Sequence, residues 1–146
     1  MYSDQSLRNR YTDSALQTAS GPRIVVMAYD RLDRDLAEAI EALATRDIER
    51  VNAALVHAQD LLSELLLMLD RDRWEHAGTL ASLYEFVGRQ LFTANVTKDT
   101  AIIHDARRLL SGLGDAFRDA AASMATTATP ATEPGEGSEP RWSLQA

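Results

Sequence analysis

From Arg23 to Met124 apolar side chains return every three or four positions, the period of a helix with one buried face. Tyr29, Leu32, Leu36, Ile40 and Leu43 form the first such stripe. Pro22 stands where a first helical turn tolerates proline, behind Ser20 and Gly21 as candidate caps, so a first helix is expected over about 22–44. Asp47 is a candidate N-cap for a second, about 47–70, in which Ile48, Val51, Leu55, Leu62, Leu65 and Leu69 keep the period. Asp70, Arg71, Asp72 and Arg73 make a charged connection to a third helix ending near Asn95, about 74–95, marked by Leu80, Leu83, Val87, Leu91 and Ala94. Thr97 or Asp99 caps a fourth, about 98–125, whose face is Ile102, Ile103, Ala106, Leu109, Leu110, Leu113, Phe117 and Met124. Helices of about 22 residues, each about 33 Å long and joined by short loops, predict an all-α fold, an antiparallel up-down-up-down four-helix bundle.

The two ends of the chain break the pattern. Proline occurs only at Pro22, Pro130, Pro134 and Pro140, which leaves the span between the first two free of the strongest helix breaker. Residues 1–21 lack a helical period and are expected to form an irregular N-terminal segment. Residues 126–146, TTATPATEPGEGSEPRWSLQA, hold few groups able to bury themselves, and a disordered tail is expected there. The bundle is therefore expected over 22–125.

Composition narrows the chemistry. With no cysteine among 146 residues, thiolate metal sites, disulfides and cysteine nucleophiles are excluded. Fifteen basic against 22 acidic residues give a net charge of −7, which argues against nucleic acid or an anionic membrane surface as partner. No apolar run is long enough to span a bilayer, and the first 21 residues lack the apolar core of a signal peptide, so a cytoplasmic protein without membrane insertion is expected. The three histidines, His57, His76 and His104, form no Glu-x-x-His or His-x-x-x-His pair, so no metal and no cofactor is expected. Paired acids such as Asp33 and Asp35 sit beside arginines and read as solvated surface ion pairs. No constellation of an enzyme is present. His57, turned about 200° from Leu55, would point to solvent as a phospho-accepting histidine does, which leaves a histidine phosphotransfer or other signalling bundle as the alternative function.

Two features exceed what a minimal bundle needs. The run LLSELLLML, from Leu61 to Leu69, puts apolar groups around most of the second helix, and Val56 and Leu67 fall off its core stripe, so something beyond the sister helices is expected to cover them. Gly112 and Gly114 stand inside the fourth helix, where glycine either lets a neighbour approach closely or is a tolerated flaw.

The third helix carries a recognisable signature. Residues 83 to 95, LYEFVGRQLFTAN, followed by Val96, Thr97, Lys98 and Asp99, resemble the motif of the flagellin export chaperones, the FliS family. Tyr11 ahead of Thr18, Ala19 and Ser20, the helix start IVVMAYDRL, the RDIERVNAALVHAQDLLSEL pattern and LLSGLGDAFRDA extend the likeness over roughly residues 11 to 122. Gly21 before the proline, Gln90 and Phe117 depart from the usual pattern. The resemblance implies a cytoplasmic, non-enzymatic flagellar secretion chaperone that holds the disordered C-terminal segment of flagellin, prevents premature polymerisation and delivers it to the flagellar export gate for type III export, as a monomer or weak homodimer. It further implies a client groove on the second and third helices, with Leu61, Tyr84, Val87, Arg89, Leu91 and Asn95 as its contacts. The N-terminal segment, with Leu7, Tyr11 and Leu16, is then a candidate lid over that groove, or a direct contact through Tyr11.

Overall fold

In the computed structural model, residues 21–72 and 74–145 are described, with side chains as far as Met124. Four helices follow in chain order: α1 (Gly21–Ala44), α2 (Ile48–Met68), α3 (Ala77–Thr97) and α4 (Thr100–Gln145). Each packs against its two neighbours in the cyclic order α1, α2, α3, α4. Cross-helix pairs fix the directions. Asp30 meets Arg118 while Asp33 meets Arg107, and Asp35 meets His57 while Glu38 meets Arg50, so α1 runs antiparallel to both α4 and α2. This is the expected antiparallel bundle.

The sharp reversals have local causes. After α1, Arg46 adopts a left-handed φ of 60°. The Arg46 N–H then bonds to the Leu43 carbonyl and the Asp47 N–H to that of Ala42, the pair of bonds that closes a Schellman motif. Asp47 begins the next helix at once, its carboxylate accepting from the Arg50 N–H at 3.2 Å. The second sharp turn uses Lys98, with φ 57°, and not Asn95, which stays helical. Asp99 then accepts the Ala101 N–H at 2.9 Å and caps α4.

Leu32 and Leu36 of α1, Val51, Leu55, Leu62 and Leu65 of α2, Leu80, Val87 and Leu91 of α3, and Ile103 and Leu110 of α4 form the core. Ala39, Ala42, Ala54 and Ala58, all buried, keep α1 and α2 close together. At one end of the core the buried hydroxyls of Tyr29 and Tyr84 hydrogen-bond across the bundle at 2.7 Å, and the Tyr29 ring stacks on Phe117 at 5.4 Å. Burial pushes both tyrosine hydroxyls above their ordinary range, so they remain protonated and neutral.

The two mid-helix glycines differ. Gly114 is buried, and a Cβ there would reach the Cβ of Tyr29 at 3.4 Å, ordinary contact distance, whereas Gly112 faces open space. Gly112 is thus a tolerated flaw. The Gly112→Ala chain is expected to gain up to about 1 kcal/mol of stability, read from its urea unfolding midpoint.

The backbone of the fourth helix continues past the bundle to Gln145. Ala120, Ala121, Ala122, Ala125 and Ala128 favour helix just past the last core contact, ahead of Pro130. Core packing nevertheless ends near Phe117, and Met124, expected on the buried face, is exposed. Removing residues 126–146 is therefore expected to leave the melting temperature unchanged; a fall of several degrees would show that the tail supports the bundle.

Candidate functional site

The bundle has two unlike sides. The ion pairs described between helices all involve α1: Asp30 with Arg118, Asp33 with Arg107, Glu38 with Arg50 and Asp35 with His57. The Arg107 guanidinium, bonded to both Asp33 oxygens at 2.7 and 3.1 Å, holds that carboxyl below its ordinary range. Charged rows thus seal both flanks of α1. The diagonally opposite helix, α3, is bordered by apolar side chains left in solvent.

On the flank of α3 that faces α2, Lys98 Nζ donates to Asn95 Oδ1 at 2.6 Å and to Asn52 Oδ1 at 2.7 Å, which seats the end of α3 beside the start of α2. At about 100° per residue, Phe92 and Val96 lie outward of Asn95, and Val56 lies outward of Asn52 one turn on. Phe92 is 62% exposed, Val96 67% and Val56 50%, and Ile48 is exposed nearby. Leu67, farther along α2, is 85% exposed. The other flank of α3 carries exposed Phe86 and half-buried Leu83. Because Arg107 and Arg118 turn one side of α4 toward α1, Leu109, on the far side of that helix, lies toward α3 and Phe86. Surface apolar groups gathered along two neighbouring seams make these flanks of α3 the candidate contact surface, since scattered single ones carry no such meaning.

The structure places the expected contacts unevenly. Tyr84, Val87 and Leu91 are core residues, at most 3% exposed, so a partner reaches them only by opening the bundle. This corrects their reading as groove lining: the motif of α3 alternates core and surface positions, and the surface ones are Phe86, Phe92 and Val96. Leu61 is half-buried against the core, Arg89 is exposed, and Asn95 is engaged by Lys98 at the corner between α3 and α4. Tyr11 and the candidate lid lie outside the described residues. The helical wheel of α3 already contained the signal for Phe92 and Val96, both opposite the Leu80, Val87 and Leu91 stripe.

The polar candidates also shift. Asp35 is not solvated but buried, bonded to Arg31 Nε at 3.2 Å and to His57 Nδ1 at 2.5 Å. His57 is half-exposed with its ring turned to that carboxylate, where the sequence placed it free in solvent. Among the described residues no group of three or more acids and histidines is arranged to hold a metal ion, and no helix is long and apolar enough to cross a membrane.

A four-helix bundle with a charge-sealed side and an apolar side, and with its conspicuous surface groups suited to contact, defines a helical binding module. The model of the flagellar protein FliS family matches residues 3–124, and the chain belongs to that family. It is 26% identical over 118 residues to the flagellar secretion chaperone FliS of Bacillus subtilis (strain 168), covering 79% of this chain and 88% of that one. It is 29% identical over 108 residues to the flagellar secretion chaperone FliS of Salmonella typhimurium (strain LT2), covering 73% and 80%. The fold is also that of a solved flagellar chaperone from bacteria, with a TM-score of 0.67 at 23% identity over 82% of this chain and 98% of the other.

Proposed function

We propose that the protein is a cytoplasmic flagellar secretion chaperone whose client is flagellin, held by its C-terminal segment until delivery to the export gate. Family membership supports the role, and the exposed apolar rows beside α3 are the observation that carries the mode of binding. A client segment that is unfolded alone gains a helix-compatible apolar surface on contact with Phe86, Phe92, Val96 and Val56. Coupled folding and binding of this kind buries on the order of 1,000–3,000 Å² and costs about 2–5 kcal/mol in ordering, which leaves a firm but reversible complex. Holding and release need no bond chemistry, no cofactor and no metal. Flagellin polymerisation is blocked because the segment that would enter the filament is occupied.

The test is capture of purified flagellin by the full chain, with a flagellin lacking its C-terminal segment as comparison. Retention of intact flagellin alone supports the proposal. Equal retention of the truncated protein moves the contact elsewhere on the client, and retention of neither overturns flagellin as client.

A further inference from the structure

Asp35 is the one charged residue buried among the described residues, and client binding at α3 makes no use of it. It lies in the seam between α1 and α2, on the side of the bundle away from the apolar rows. Its side chain is 8% exposed, while that of His57, bonded to it, is 45% exposed. The groove above the pair is lined also by Arg31, Arg34, Glu38 and Arg50. From this geometry we infer that His57 is a phosphoryl-acceptor site, with Nε2 as the nucleophile and Asp35 as its positioning residue, taking the group from a small acyl phosphate or phosphoramidate.

The hydrogen bond sets the tautomer. A carboxylate only accepts, so His57 Nδ1 carries the proton toward Asp35, and in the neutral ring the lone pair is left on Nε2. No described residue hydrogen-bonds Nε2, and the His57 side chain, 45% exposed, lines the groove. Transfer then proceeds in one balanced step. The Nε2 lone pair forms a bond to phosphorus as the phosphorus–oxygen bond of an acyl phosphate breaks, and the carboxylate leaves with the bonding electrons. No proton has to move; from phosphoramidate, whose nitrogen carries three hydrogens near neutral pH, the phosphorus–nitrogen bond breaks instead and ammonia leaves. The phosphorylated ring keeps its Nδ1 proton and becomes cationic, and the Asp35 carboxylate, shielded from water, is placed to stabilise that new charge. Arg34 and the terminal nitrogens of Arg31 on the groove wall offer guanidinium donors that suit phosphoryl oxygens, while Arg50 is held by Glu38.

The other two histidines lack this arrangement. His76 Nε2 lies 3.2 Å from the exposed Glu75 carboxylate, and His104 is exposed with no buried acid beside it. Accessibility alone would therefore favour His104, and activation favours His57.

The experiment is incubation of the full chain with potassium phosphoramidate near neutral pH, with acid-labile phosphate mapped to each histidine by mass spectrometry over time. Expected is labelling of His57 at least about tenfold faster than of His104, which corresponds to about 1.4 kcal/mol. Asp35→Asn, close in shape but uncharged, is expected to remove most of that advantage, and His57→Gln all of the fast phase. Equal rates at His57 and His104 in the parent chain overturn the inference, as does undiminished labelling in a folded Asp35→Asn chain. The comparison between histidines needs no variant, so it decides the matter even where Asp35→Asn does not fold.

Discussion

Phe92→Asp and Val96→Asp are each expected to weaken flagellin binding by at least about a hundredfold, or about 2.7 kcal/mol, the loss typical of a residue central to an interface. Both side chains are more than half exposed in the free protein, at 62% and 67%, so neither change removes core contacts. Circular dichroism and melting should therefore match the parent while titration calorimetry shows the loss. A control on the charged side, Arg118→Gln, breaks exposed ion pairs to Asp30 and Asp115 and should change client affinity little. Normal binding by both α3 variants would move the client surface away from α3. Loss of binding in the Arg118 control alone would relocate it to the seam between α1 and α4.

Leu91 gives the opposite pattern. It is fully buried in the C-terminal half of α3, so Leu91→Ala is expected to cost about 2–5 kcal/mol by lost burial and by the cavity left behind. Leu91→Asp places an unpaired charge in the same site and is expected to prevent folding at room temperature. Urea unfolding followed by circular dichroism measures the first, and the absence of a cooperative transition marks the second. A folded Leu91→Asp chain would mean that α3 turns its Leu91 face outward in solution. That outcome would restore the groove reading of the motif.

How much the sequence revealed depends on what decides each feature. The helices follow from a period carried by many side chains at once, so Leu32, Leu36, Leu55 and Leu110 were legible as core. The Asp47 cap was legible because a short acceptor before an apolar stripe has few other uses. Leu91 belongs both to the apolar stripe of α3 and to the family motif, and Tyr84 to the motif, which records positions and not the direction in which each side chain points; burial of both settles that they face the core. The burial of Asp35 depends on a different element: it shares a groove with Ala54 and His57 of α2, and His57, its bonding partner, is 22 positions away in the chain. The left-handed corner at Lys98 also depended on a distant residue, since Lys98 Nζ reaches Asn52 of α2. Pairings between elements were thus the part the linear pattern concealed.

The division of the bundle into a charge-sealed side at α1 and an apolar side at α3 bears on the colloidal behaviour of a complex. A client lying along α3 hides the groups that would otherwise make copies adhere, while the ridge of α1 remains in contact with water. The chain itself contributes a net charge of −7, which favours repulsion between copies across that ridge. The free chain has the same repulsion but keeps its adhesive side open. Crowding should therefore precipitate the empty protein before the loaded one, and stocks of chaperone should keep best when stored with client.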